Sequence, residues 1–166
     1  TLTNSANLGE LLLADVAATI TNNSGASLNV NTSVENSKPL TIDNKGTLNF
    51  VGGKYKGVIS FQNSTTALIK GGLYSETLYN SISAMIDGSN YQWNKINYLG
   101  ETYYQVVDKN CTFECQVGET KYVPLKDAIS YIPTETEVTI TLLKDISLDL
   151  VDADFTKSIA IIDILC

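Results

Sequence analysis

Apolar and polar positions alternate with a period of two through ATITNNSGASLNV, PLTIDNKGTLNF and ALIKGGLY. That alternation predicts half-buried strands rather than amphipathic helices. The segments also match one another. With Asn44 laid on Asn63, Thr47 falls on Thr66, Phe50 on Ile69, Gly52-Gly53 on Gly71-Gly72 and Tyr55 on Tyr74, without a gap. An earlier copy sets Ile20, Asn22, Leu28 and Val30 against Ile42, Asn44, Leu48 and Phe50, so the period is 19 to 22 residues. A strand-rich period of this size, broken at Asn and Gly, predicts a right-handed parallel β-helix, a solenoid making one turn per repeat. Ile20, Ile42 and Phe61, and likewise Val30, Phe50 and Ile69, would then stack inward at the roughly 4.8 Å spacing of neighbouring strands. The Gly-Gly pairs and the Asn residues are read as tight corners, where a left-handed backbone is needed.

After the last copy the pattern changes. Ser75 is placed to cap a short helix with an apolar stripe at Leu78, Ile82, Met85 and Ile86, ended by Gly88. Two strands, about 91–96 and 103–107, follow and are joined through Leu99-Gly100-Glu101. A further unit starts near Cys111: a strand over 111–117, a hairpin turn at Gly118-Glu119, and Pro124 as first residue of a helix through Ile132, which Pro133 stops. EVTITLL and SIAIIDIL read as strands on either side of an acidic loop around 149–154. The chain thus divides into coils over 1–76, a helix-plus-hairpin cap over 77–110, and the hairpin–helix–strand start of a second module over 111–166.

Charge narrows the function classes. The 11 basic residues are all Lys, against 18 carboxylates, with a net charge of -7 and neither Arg nor His. A basic patch for nucleic acid or anionic membrane is not expected, and Ser-His or Cys-His nucleophiles are ruled out for want of an imidazole. No apolar run is long enough to span a bilayer, so no membrane insertion is expected. Any export signal is expected to lie outside this stretch. Cys111 and Cys115, four apart on one strand, would be roughly 13 Å apart and unable to bond. Either could meet Cys166, although three free thiols is the preferred reading. Sequons stand at Asn22, Asn31, Asn63 and Asn110.

Candidate chemistry is sparse. Between Thr19 and Glu76 only Glu35, Asp43 and Glu76 are acidic, and they share no repeat position, so neither a lyase nor a glycosidase site is expected and no catalytic residue is assigned. Asp149, Asp152 and Asp154 are dense enough to begin a calcium site, but lack the glycine turn and closing Glu of an EF-hand. They are read as a solvated connector, and no cofactor is expected. Tyr91, Trp93, Tyr98, Tyr103 and Tyr104 crowd one segment. Four of them, Tyr91, Trp93, Tyr103 and Tyr104, are the nominated ligand site, where a flat aromatic face would stack on sugar rings. The competing reading packs them against the helix and hairpin.

GTLNFVGGKYKG, ALIKGGLYSETLYNSISAMIDGSNYQW and VGETKYVPLKDAISYIPTETEVTITLLKDISLD together resemble repetitive bacterial cell-surface proteins of the right-handed parallel β-helix, pectate-lyase-like kind. The resemblance covers residues 15 to 163 and departs from the usual pattern after Leu148. It implies a secreted or cell-surface protein in which adjacent repeats of a longer chain, glycans or host surface proteins are the partners. It implies no activity. The expectation is therefore a non-enzymatic adhesive or spacing module, with a carbohydrate-binding module as the alternative and a polysaccharide lyase or glycosidase third.

Overall fold

A computed structural model describes residues 2–5, 7–8, 18–31, 33, 39–63, 67–133, 137–146 and 159–163. The chain separates into two units. The first comprises Thr1–Trp93 with Tyr104–Lys109, and the second Asn94–Tyr103 with Asn110–Cys166.

In the first unit, β1 (Leu2–Asn4), β3 (Ala18–Asn22), β5 (Leu40–Asn44) and β7 (Ile59–Gln62) form one sheet in that order, all neighbours parallel. A second sheet runs β2 (Asn7–Leu8), β4 (Ser27–Asn31), β6 (Thr47–Tyr55), β8 (Ala67–Ser75), β10 (Glu101–Asp108), β9 (Tyr91–Tyr98). Its first four strands are parallel. The last two are joined only through Leu99 and Gly100, and so short a loop can connect only an antiparallel pair. The third sheet, in the second unit, orders β12 (Thr120–Tyr122), β11 (Cys115–Val117), β13 (Val138–Leu142) and β14 (Ile159–Asp163). There β11 is antiparallel to both β12 and β13, while β13 and β14 are parallel.

The expected right-handed parallel β-helix is therefore corrected. The chain is mainly β, but the described residues form separate small sheets of mixed orientation and show no solenoid. The period informed on which residues become neighbours. It carried no information on how the sheets are separated, nor on the mixed strand sense of the third sheet, where the two-residue turn between β11 and β12 allows only an antiparallel pair.

Neighbouring strands do align the matched residues. Ile20 pairs with Ile42, and Ile42 with Phe61; Val30 pairs with Phe50, and Phe50 with Ile69. Except for the half-buried Phe61, these side chains are almost wholly buried and form the core with Leu28, Leu48, Tyr55 and Tyr74. The Gly-Gly pairs are not corners. They lie inside the nine-residue strands β6 and β8, where the register slips between Phe50 and Lys54. Gly53 (φ +93°) and Gly72 (φ +106°) take the left-handed backbone that such a bulge requires. Each bulge is pinned by a tyrosine three residues on: Tyr55 Oη donates to Gly52 O at 2.7 Å, and Tyr74 Oη to Gly71 O at 2.9 Å. The two rings stack 4.8 Å apart.

Asparagine also plays a part that its turn preference concealed. Asn22 and Asn44 end their strands in extended geometry and are 0% exposed. Asn4 Nδ2 donates to Asn22 Oδ1, and Asn22 Nδ2 to Asn44 Oδ1, each at 2.8 Å. The same amides reach the chain behind them, Asn4 Nδ2 to Ser27 O and Asn22 Nδ2 to Thr47 O, both at 3.0 Å. The result is an amide ladder that ties one strand to the next and reaches the first residues of β4 and β6 in the second sheet. Asn63 alone among the aligned Asn22, Asn44 and Asn63 has a positive φ, +54°.

Helix α1 (Glu76–Ile82) continues into a 3-10 turn over Ser83–Met85, with Leu78 and Ile82 buried and Met85 and Ile86 packed against the core. Ser75 occupies the cap position, but its side chain makes no capping bond: it is buried, and its Oγ has no partner among the described residues.

In the second unit, helix α2 (Leu125–Tyr131) packs Leu125 and Ala128 inward. Residues 111–114 are not strand, so the expected strand shortens to Cys115–Val117. Pro124 is the cap rather than the first helical residue. The first free amide of α2, Leu125 N, donates instead to Glu114 Oε2 at 2.9 Å, and Lys144 Nζ lies 3.2 Å from Glu114 Oε1. That amide first, then Lys144, holds the Glu114 carboxyl below its usual 4.5. A depressed carboxyl contributes stability above its ordinary pKa and loses it as pH falls through the folded value. Glu114→Gln is accordingly expected to cost the second unit about 1 kcal/mol at pH 7, the scale of a helix cap. In acid-unfolding curves followed by circular dichroism, the gap to wild type should begin to narrow as pH falls below the ordinary Glu value and close only once the lowered folded value is passed.

Candidate functional site

The four nominated aromatics do not gather on one open face. Tyr91 and Trp93 start β9, project from the same side of the strand and pack, half-buried, against the core of the first unit. The Trp93 ring meets Tyr74 at 5.4 Å and 87°, and Tyr79 at 5.2 Å and 86°, both edge to face. Its Nε1 donates to Ser83 O at 3.1 Å, so the polar end of the indole is spent on the turn after α1. Tyr104 stacks on Tyr79 with 3.6 Å between ring centres and an angle of 3°, which covers one face of each ring. Tyr103 belongs to the second unit, where it is 2% exposed and lies against Tyr98. Of the four, Tyr103 is therefore buried, Tyr104 has one ring face covered, and Trp93 is engaged by two rings and a carbonyl.

Tyr74 and Tyr79, which the sequence reading did not nominate, are what hold Trp93. Tyr79 stands on α1 at the position after buried Leu78, and only the contact with β9 reveals its role. Burial raises the Tyr74 phenol well above its ordinary range, so it stays a hydrogen-bond donor to Gly71.

No protein-family profile, curated protein or solved structure matches this chain.

Asp149, Asp152 and Asp154 lie outside the described residues, as do Glu35 and Cys166. Asp43 is held by the Asn63 amide at 2.8 Å and by Lys45 at 3.2 Å, which in that order keep its carboxyl below the usual range. Glu76 is exposed at the start of α1. Among the described residues, no group of three His, Cys, Asp or Glu side chains could hold a metal, and no helix is long and apolar enough to cross a membrane. Cys115 is wholly buried between β12 and β13, and burial pushes its thiol up to about 12. A thiol so protonated is a poor nucleophile at neutral pH.

Proposed function

We propose that this chain is a non-catalytic module of a secreted or cell-surface protein, serving to space or to display what is attached to it. The observation that supports this reading is the use made of buried polar side chains in the first unit. Asn4, Asn22 and Asn44, and the hydroxyls of Tyr55 and Tyr74, bond to neighbouring strands and bulges, so they hold backbone in register instead of facing a substrate. Side-chain ladders of this kind stiffen a sheet along the direction in which its strands are added. The extracellular setting rests on the motif resemblance.

Under this reading the protein turns over no polysaccharide. Incubation with pectins, polyuronates and host-type glycans should leave chain length unchanged, as read by reducing ends and by the absorbance of unsaturated uronides. Depolymerisation of any of them would overturn the proposal.

A further inference from the structure

The second unit contains a hollow that the aromatic nomination missed. The tip of the β9–β10 hairpin is fastened there by two bonds: Leu99 N donates to Tyr131 O at 2.6 Å, and Tyr122 Oη to Asn97 O at 3.1 Å. Between this tip, the β11–β12 turn, the end of α2 and the start of β13 lies a cavity of about 330 Å³. That is the lower end of the roughly 300–1,000 Å³ of small-molecule pockets, room for a single ring rather than a long chain. Tyr122 and Ile132 are the buried members of its wall, and Val117 and Val138 are half-buried. Exposed at the mouth are Asn97 and the turn glycines Gly100 and Gly118.

We infer that this pocket binds the ring of a neutral sugar. None of its lining side chains carries a formal charge at neutral pH. The two phenols stay protonated: burial raises Tyr122, and burial followed by the neighbouring Asp127 carboxylate raises Tyr131. An ionic ligand would shed its hydration with no opposite charge to meet it, which is costly. A pure hydrocarbon would fill the apolar wall but strip water from the Thr120 hydroxyl and the Asn97 amide without replacing its bonds. A neutral pyranose meets both demands, with a C–H face for the half-buried Tyr131 ring, which the buried Tyr122 backs at 6.3 Å, and hydroxyls for the polar groups. The pocket would bind whether or not the module is a spacer, so this inference stands apart from the proposal above.

The test is a titration of the whole labelled chain with methyl glycosides of glucose, galactose, mannose and N-acetylglucosamine, followed by amide chemical shifts. Methyl glucuronoside and cyclohexanol serve as charged and apolar probes. At least one neutral glycoside should give saturable shifts centred on Gly100, Gly118 and Thr120, with glucuronoside and cyclohexanol at least ten-fold weaker. Thr120→Val, which removes one hydroxyl and keeps the shape, should weaken binding several-fold; Val117→Trp, which fills the space, should abolish it. Should Val117→Trp fail to fold, Thr120→Val decides. The inference is overturned if no neutral glycoside saturates, if either control probe binds as well, or if Thr120→Val binds like wild type.

Discussion

Asn22→Asp should lower the stability of the first unit by about 3–5 kcal/mol at neutral pH, the range for a buried charge left without a partner. Asn22 is the middle rung of the ladder: it accepts from Asn4 and donates both to Asn44 Oδ1 and to Thr47 O. A carboxylate keeps the acceptor and loses the donor, so two buried oxygens face a third. Burial raises the pKa of such an acid, and the protonated form restores one of the two lost bonds. Stability of the variant relative to wild type is therefore greatest at low pH and falls as pH rises through the raised pKa. Urea titrations of both proteins at several pH values, read by the fluorescence of the single Trp93, should show the difference widening toward pH 7. A pH-independent difference would mean that the aspartate finds a cation or solvent.

Gly71→Ala is the second large effect, about 2–3 kcal/mol, as for an overpacked core. A Cβ at Gly71 would stand 2.3 Å from Val51 O and 2.7 Å from Val51 C, and both belong to the backbone of the adjacent strand. Neither can swing aside as a side chain would, so the bulge itself must open and draw Tyr74 off Gly71 O. Gly88→Ala is the control. Its Cβ would meet nothing closer than Ile86 O at 4.0 Å, and the change should fall within about 0.5 kcal/mol of wild type. The same urea unfolding, with Trp93 as probe, compares the two variants directly. Similar midpoints for both would show that β6 and β8 are not in close contact at the bulge.

Much of the pairing was legible in the letters. Ile20 with Ile42, Val30 with Phe50 and Tyr55 with Tyr74 can be aligned by eye, and each is a pair of strand neighbours. The alignment works because a side chain buried between strands is constrained mostly by the residue above and below it. The hairpins after Ser75 were legible from their short turns at Leu99-Gly100 and Gly118-Glu119, whereas the inferred β-helix was not sound, because alternation of apolar and polar residues looks the same in a solenoid and in separate sheets. Asparagine misled for a related reason. Its known taste for left-handed turns fits Asn63, whereas Asn22 needs a partner 22 residues away that no local rule supplies. Gly52-Gly53 was recognised as a special backbone position but placed at a corner, because a bulge within a long strand and a turn between short ones ask for the same residue. The aromatic segment shows the limit for sites. Spacing placed Tyr91 and Trp93 on one side of a strand, but Tyr74 and Tyr79, which cover Trp93, come from elsewhere in the chain. The pocket at Val117, Tyr122 and Ile132 is assembled from four segments, none of which carries a motif.

The amide ladder is the centre of this account, and hydrogen exchange of the asparagine side chains tests it most directly. The Nδ2 protons of Asn22 should exchange as slowly as the backbone amides of β3 and β5, and far more slowly than those of the exposed Asn80. Exchange of Asn22 at the rate of Asn80 would contradict it.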